Sequence, residues 1–472
     1  MSIEKRYLAW FVVSLLLAIF SAIMEYPFYM VSAFICWLFL IIYCSGDLAS
    51  RSALFAFLIA FFTFLMGREI FEITGFHTID SAFAEEYNLH AEQLIFISLV
   101  CLIIGYFILS KIRLRRRRSI TNLTYDSAYY KTVRKVSGIV FWITFLFNFI
   151  NLIDIVRYVM TYGYVAFYIG YEKNVPYIIE KIGDMCQIAL FVFLATMPTK
   201  RESKYKIYGY ILYLFMTLFS GQRSPLVSGL LTLFVYYMYR NSIATVNSDK
   251  WFGKFEKNLC IIFIPLLILS MPLINIVRLG DDITVQDILD GMTAFFYQQG
   301  VSITVIKRAL IFEGALPDGK FYMFGGLWDF FHSNVISRML GMVSYSKNTV
   351  EHALEGSSLQ HALSYIVMGN YYLMGHGLGS SYIAEAFHDF RYAGVIIINF
   401  IYGYILKRLF DFKQYNVWIA ALALSMLNAL FLAPRGNADG FIVSFIDLNS
   451  WGTIFIIYIV TRMLMYSHNN QK

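Results

Sequence analysis

The segment FSGQRSPLVSG (219–229) sets one arginine, Arg223, between two apolar runs. Arg278 in INIVRLGDD and Arg435 in FLAPRGNADG occupy similar places, where an apolar run meets a break containing glycine or proline. A guanidinium is planar, permanently charged and able to make paired hydrogen bonds to phosphate, so the three point to an anionic ligand such as pyrophosphate. The densest stretch of chemistry is GHGLGSSYIAEAFHDFRYAG (375–394). Gly375, Gly377 and Gly379 permit tight turns. Ser380 and Ser381 suit the N-cap of the helix that YIAEAF begins. Glu385, His388 and Asp389 stand at i, i+3 and i+4, on one helix face. A carboxylate or histidine can take the proton of an attacking hydroxyl. Glu385, beside an apolar helix start, is the leading candidate, and His376, flanked by glycines, is the second. Each also has a plainer reading: helix solvation or a salt bridge to Arg391 for Glu385, ordinary surface for His376.

The elements that must position these groups are membrane helices. The chain of 472 residues is 58% hydrophobic and only 15% charged, where soluble domains carry nearer a quarter. Apolar runs at 7–23, 27–44, 53–66, 93–110, 136–153, 185–198, 207–219, 225–239, 259–277, 392–406, 416–433 and 448–466 predict an all-α polytopic membrane protein of about twelve spans. No small-residue cleavage site follows the first run, which reads as an uncleaved first helix. Cys36, Cys44, Cys101, Cys186 and Cys260 all fall in or beside spans and suit buried apolar positions better than disulfides or a metal site.

With the N-terminus inside, 25 of the 38 basic residues but only 7 of the 31 acidic ones fall on the cytoplasmic side. The short loops thus obey the positive-inside rule, with both termini cytoplasmic. The run KIRLRRRR (111–118) follows a span and reads as a topology determinant on anionic lipid, not as a nucleic-acid patch. Arg223, Arg278 and Arg435 then lie on the outer side, which the rule depletes. Snorkelling to lipid phosphates explains any one of them; ligand binding better explains all three. The chain divides into spans 1–9 with short loops (1–277), a large external loop (278–391) and spans 10–12 (392–472). Within the loop, 294–312 and 321–340 predict amphipathic, aromatic-rich helices on the membrane face or capping the bundle, and 358–374 a re-entrant segment. Trp328, Tyr371 and Tyr372 suit either sugar stacking or interfacial anchoring. No phosphate loop for a nucleotide is present.

The pairing of GLGSSYIAEAFHDF with SGQRSPLV, under a twelve-span plan with one long late external loop, resembles the Wzy-type O-antigen polysaccharide polymerases. INIVRLG and LAPRGNADGF match the family's usual placement of arginines. Where the family often carries glycine after the position of Phe390, this chain has Arg391. The resemblance implies glycosyl transfer at the outer face of the bacterial inner membrane. A growing glycan would pass from undecaprenyl pyrophosphate to the sugar hydroxyl of a new lipid-linked repeat unit. Arg223, Arg278 and Arg435 would hold pyrophosphate, with no cofactor or metal. Ser380, Ser381, His388, Asp389, Tyr371 and Tyr372 would contact glycan, and a chain-length regulator would be a partner alongside membrane lipids. The alternatives are an O-antigen ligase, a GT-C glycosyltransferase using a lipid monophosphate sugar, and a lipid-linked oligosaccharide flippase or other transporter. His332-Ser333 matches only the first pair of a ligase pattern; Val343 stands where glycine would fall. A GT-C enzyme would want acidic residues in the first external loop, which holds only Glu25, while the second, with Glu69, Glu72, Asp80, Glu85 and Glu86, is acidic enough to keep that alternative open. A transporter would want charges lining a path within the spans.

Overall fold

The computed structural model describes residues 3–24, 28–75, 82–107, 125–164, 166–169, 171, 173–244, 250–254, 256–258, 261, 291–334, 337, 339–342 and 345–469. They are helical, with no strand among them. The first half comprises α1 (Ile3–Met24), α2 (Tyr29–Ser45), α3 (Leu48–Ile73), α4 (Glu85–Phe107), α5 (Ala128–Tyr162), α6 (Cys186–Ala195), α7 (Lys200–Met216) and α8 (Ser224–Ile243). Then come α9 (Gly291–Gln299), α10 (Ser302–Ile311), α11 (Gly325–Ser333), α12 (Val350–Glu355) and α13 (Leu359–Met368). The last third is α14 (Tyr382–Leu409), α15 (Val417–Leu430), α16 (Gly440–Ile446) and α17 (Leu448–Asn469). Polar side chains start several of them. Asp47, Ser127 and Asn416 accept from the first turns of α3, α5 and α15, and Thr199 with Glu202 forms a capping box on α7.

Five helical stretches are long and apolar enough to cross a membrane: α3, α4, α5, α14 and the continuous Gly440–Ser467. Residues 11–23 of α1, together with α2 and α15, are shorter apolar helices. The expected span at 259–277, apart from Ile261, lies outside the described residues, as do Cys260, the basic run 111–118 and Arg278. The other four cysteines are buried and unpaired.

At the centre α14 crosses α4. A Cβ on Gly105 would stand 2.3 Å from the Phe400 carbonyl oxygen, and one on Gly403 2.2 Å from that of Leu102. Only glycine permits such backbone contact, the small-residue packing typical of membrane helices. Several of the basic residues predicted to share a side are held by nearby carbonyls, rings and hydroxyls. Arg51 donates to the Tyr43 carbonyl, Lys407 lies over Tyr106, and the Lys413 amide donates to Tyr239. Arg134 and Arg240 donate to the carbonyls of Thr196 and Pro198.

The helices α9 and α10, read from sequence as lying on the membrane face or capping the bundle, are packed against the bundle core. Phe296 of α9 meets Phe62 and Phe71 of α3. In α10 every residue from Ser302 to Lys307 is buried. Lys307, 1% exposed, is ion-paired with Glu69 of α3 at 2.5 Å.

Candidate functional site

The motif LAPRGNADG forms a short 3-10 turn, Ala433–Arg435, followed by an extended Gly436 and a second turn at Ala438–Asp439 that leads into α16. This turn is braced from two sides by buried carboxylates. Glu385, in the first turn of α14 and 1% exposed, accepts the Ser380 hydroxyl at 2.6 Å and the Ala438 amide at 2.7 Å. Asp439, 2% exposed, accepts the Leu327 amide at 2.6 Å, at the N-terminus of α11 where the helix dipole favours an anion. Burial nevertheless pushes the Asp439 carboxyl up to about 6. The Tyr402 hydroxyl closes the brace by donating to the Ala438 carbonyl at 2.7 Å.

What the brace presents is Arg435. Its Nη1 donates to Oε1 of Gln299 at 2.7 Å, and its guanidinium lies 5.7 Å from the centre of the Phe64 ring. Gln299 ends α9, and the next residue, Gly300, abuts Arg68: a Cβ there would be 2.6 Å from the Arg68 amide nitrogen. Arg68 donates to the Tyr297 hydroxyl at 2.9 Å and pairs with Glu72 at 3.3 Å. The turn between α9 and α10 therefore sits between two arginines from opposite ends of the sequence. Arg223 shares this end of the bundle. Lys413 meets Tyr239 at one end of the α8–α15 pair, and Asn428 donates to Thr232 farther along, so the two helices run antiparallel. Arg223, just before α8, and Arg435, just after α15, thus emerge at the same end. Arg223 is the N-cap residue of α8, and the turn before it uses Gly221 at φ +75°, under the ring of Tyr164.

The remaining expected residues divide. Ser380 belongs to the brace, whereas Ser381 is the N-cap of α14 without a side-chain capping bond. Asp389 accepts the amides of Tyr322 and Met323 at 3.1 and 2.7 Å, with His388 Nδ1 3.1 Å from its carboxylate and the His388 ring edge-on to Tyr322. This pair ties α14 to the segment before α11. Arg391 pairs with Glu313, not with Glu385, and adopts φ +52° where α14 kinks after Phe390. That conformation is one glycine adopts freely and arginine only at some cost.

His376, Tyr371 and Tyr372 lie in a separate layer built on α12 and α13. The His376 ring packs edge-on to Tyr371, and its carbonyl accepts the Asn348 side chain at 3.2 Å. Tyr372 is buried and bonds His361 Nδ1 at 2.9 Å, while Tyr371 is exposed. Rings of Trp328, His332, Tyr345, His352 and His361 follow one another through this layer, the last two 3.8 Å apart. Burial and the neighbouring His352 push the His361 imidazole down to about 4.

Sequence reasoning missed Arg68, Gln299 and Asp439. Arg68 carried the same signal as the chosen arginines, a basic residue beside glycine at the end of an apolar run (FLMGREIFE). Among the described residues no group of three His, Cys, Asp or Glu side chains is arranged to hold a metal ion. Comparison with characterised proteins and with solved structures finds no match. The model of the family O-antigen polysaccharide polymerase Wzy, however, matches residues 6–468. With nearly the whole chain covered, the protein belongs to the Wzy O-antigen polysaccharide polymerase family.

Proposed function

We propose that this protein polymerises O-antigen repeat units carried on undecaprenyl pyrophosphate, at the periplasmic face of the inner membrane. The observation that carries the reading is Arg435, held by Gln299 on a turn braced by two buried carboxylates, at the end of the bundle where Arg68 and Arg223 also stand. The acceptor sugar hydroxyl attacks the anomeric carbon of the growing glycan. The bond from that carbon to the pyrophosphate oxygen breaks, and its electron pair leaves with the lipid pyrophosphate; the hydroxyl proton ends on buffer. Negative charge grows on the departing oxygen, so fixed guanidinium groups stabilise the transition state more than the ground state. Arginine supplies here the positive charge that a metal ion supplies in other phosphate-leaving reactions, and activity is expected to persist in EDTA. Arg278 would complete the set. His376 and the exposed Tyr371 would line the path of the glycan beyond it, with Tyr372, His388 and Asp389 supporting that surface from behind. In this reading Glu385 serves the site by fixing the turn that carries Arg435.

The test is glycan length in a strain lacking this gene, complemented with wild type, Arg435→Ala, Arg435→Lys or Arg223→Ala at equal membrane levels. Wild type restores long chains. Arg435→Ala leaves single repeat units, and Arg435→Lys recovers only short ones, because an ammonium lacks the two-pronged geometry. Full-length chains from Arg435→Ala would remove the pyrophosphate role. A null strain whose long glycan never reaches the lipid core would point to the ligase instead.

A further inference from the structure

A second opening lies beside the Arg435 turn. It is a cavity of about 310 Å³ between the helix Tyr177–Asp184, the start of α6, α15, and the α16–α17 junction. That volume falls in the ~300–1,000 Å³ range of small-molecule sites. Its rim begins at Gly440, the residue after Asp439, and so adjoins the brace directly.

The lining is polar. Asp184, Gln187, Ser444, Asp447 and Asn449 all face it. None of these polar groups is fully buried: Asp184 is exposed and the others are half-buried. Their local bonds hold them in place. Gln187 donates to the Tyr210 hydroxyl at 2.9 Å, Asp184 accepts Lys181 at 2.9 Å, Ser444 bonds Ser425 at 2.7 Å, and Asp447 accepts Ser450 at 2.8 Å. The chemistry of this set decides the ligand class. Two carboxylates repel phosphate, so the cavity is no extension of the arginine cluster. Carboxylates, amides and hydroxyls arrayed around a small volume match a ligand with many hydroxyl groups, each both donor and acceptor.

We propose that this cavity is a glycan subsite that takes one sugar ring of the substrate while its pyrophosphate is held at Arg435. The proposal rests on the polymerase reading for its substrate class. Asp184 and Asp447 accept from sugar hydroxyls, and Gln187 and Asn449 supply both donors and acceptors.

The experiment uses the purified full chain in lipid nanodiscs. One probe is the repeat-unit oligosaccharide freed from its lipid by mild acid, observed by saturation-transfer NMR; the other is the intact lipid-linked unit in a chain-growth assay. Two variants are compared with wild type: Val443→Trp, which fills the cavity, and the double variant Gln187→Ala/Asn449→Ala, which removes polar groups without adding bulk. The free oligosaccharide is expected to give a saturation-transfer signal with wild type and none with either variant. In chain growth KM rises about tenfold with little change in kcat, the signature of lost ground-state binding. Should Val443→Trp fail to fold, the double variant carries the test alone. Chain growth with wild-type KM and an undiminished NMR signal in the double variant would overturn the subsite and leave the polymerase intact. A wild-type protein that binds the free oligosaccharide, loses it in the variants and yet never extends a chain would keep the subsite and overturn the polymerase reading.

Discussion

Replacing Glu385 separates two roles open to a buried carboxylate beside the arginine proposed to hold pyrophosphate. Its two oxygens accept from Ser380 and Ala438 at 2.6 and 2.7 Å, and the side chain is 1% exposed. Glu385→Ala strands a buried amide and a buried hydroxyl, at ~1–3 kcal/mol each, and leaves a void besides. A loss of ~3–5 kcal/mol is expected, enough to loosen the 435–439 turn and abolish polymerisation together with stability. Glu385→Gln is different. Its amide oxygen still accepts from Ala438 and its NH2 donates to a reversed Ser380 hydroxyl, so the cost is ~1 kcal/mol. If Glu385 only braces the turn, the glutamine variant melts within a few degrees of wild type and makes long glycan. If Glu385 instead takes the hydroxyl proton, the glutamine variant loses ~10²–10⁴ in rate while fully folded. Glycan length on gels, initial rates with purified protein and thermal melting read all three quantities. A folded Glu385→Gln protein that makes only single repeats would refute the bracing argument and establish proton transfer.

The ion pair of Lys307 with Glu69 predicts that Lys307→Met costs ~3–5 kcal/mol by leaving a buried carboxylate alone, whereas Lys307→Met with Glu69→Leu recovers most of it; urea-gradient melts of the detergent-solubilised protein would show the difference. For His361 the folded pKa of about 4 lies below the ordinary 6.5, so the unfolded state binds the proton first as pH falls. Stability of the α12–α13 layer is therefore full above pH 6.5 and lost progressively toward pH 4, by at most ~3 kcal/mol. Hydrogen exchange across 349–376 should follow that course, and His361→Gln should flatten it. Arg391→Gly is expected to be neutral or mildly stabilising. The positive φ at 391 costs ~1 kcal/mol or more for arginine, while its exposed pair with Glu313 contributes ~0–1 kcal/mol. A melting temperature lowered by several degrees would contradict this.

The sequence made the helical membrane class plain because long apolar runs have few other uses. Span edges were less legible. The run at 136–153 is the middle of a 35-residue helix, and that at 53–66 continues through a π-helical turn to Ile73. The run at 392–406 joins the preceding YIAEAFHDF helix across the kink at Arg391. Hydropathy sees burial, not helix continuity. The placement of α9 and α10 was invisible for a related reason. Lys307 looks like a surface residue until Glu69, 238 positions away, neutralises it. Within the site, Ser380 is five residues from Glu385 and could be paired with it by spacing alone. The Ala438 amide and the Leu327 amide, which determine what Glu385 and Asp439 do, come from distant segments, and no local pattern announces them.

The glycine crossing of α4 and α14 has a mechanical consequence. Backbones in contact at Gly105 and Gly403 have no side-chain layer between them to shear or repack, so these two helices must travel as one body. Any helix movement that admits the lipid of a lipid-linked substrate would therefore leave the α4–α14 seam closed, and would fall between neighbours that touch through side chains instead.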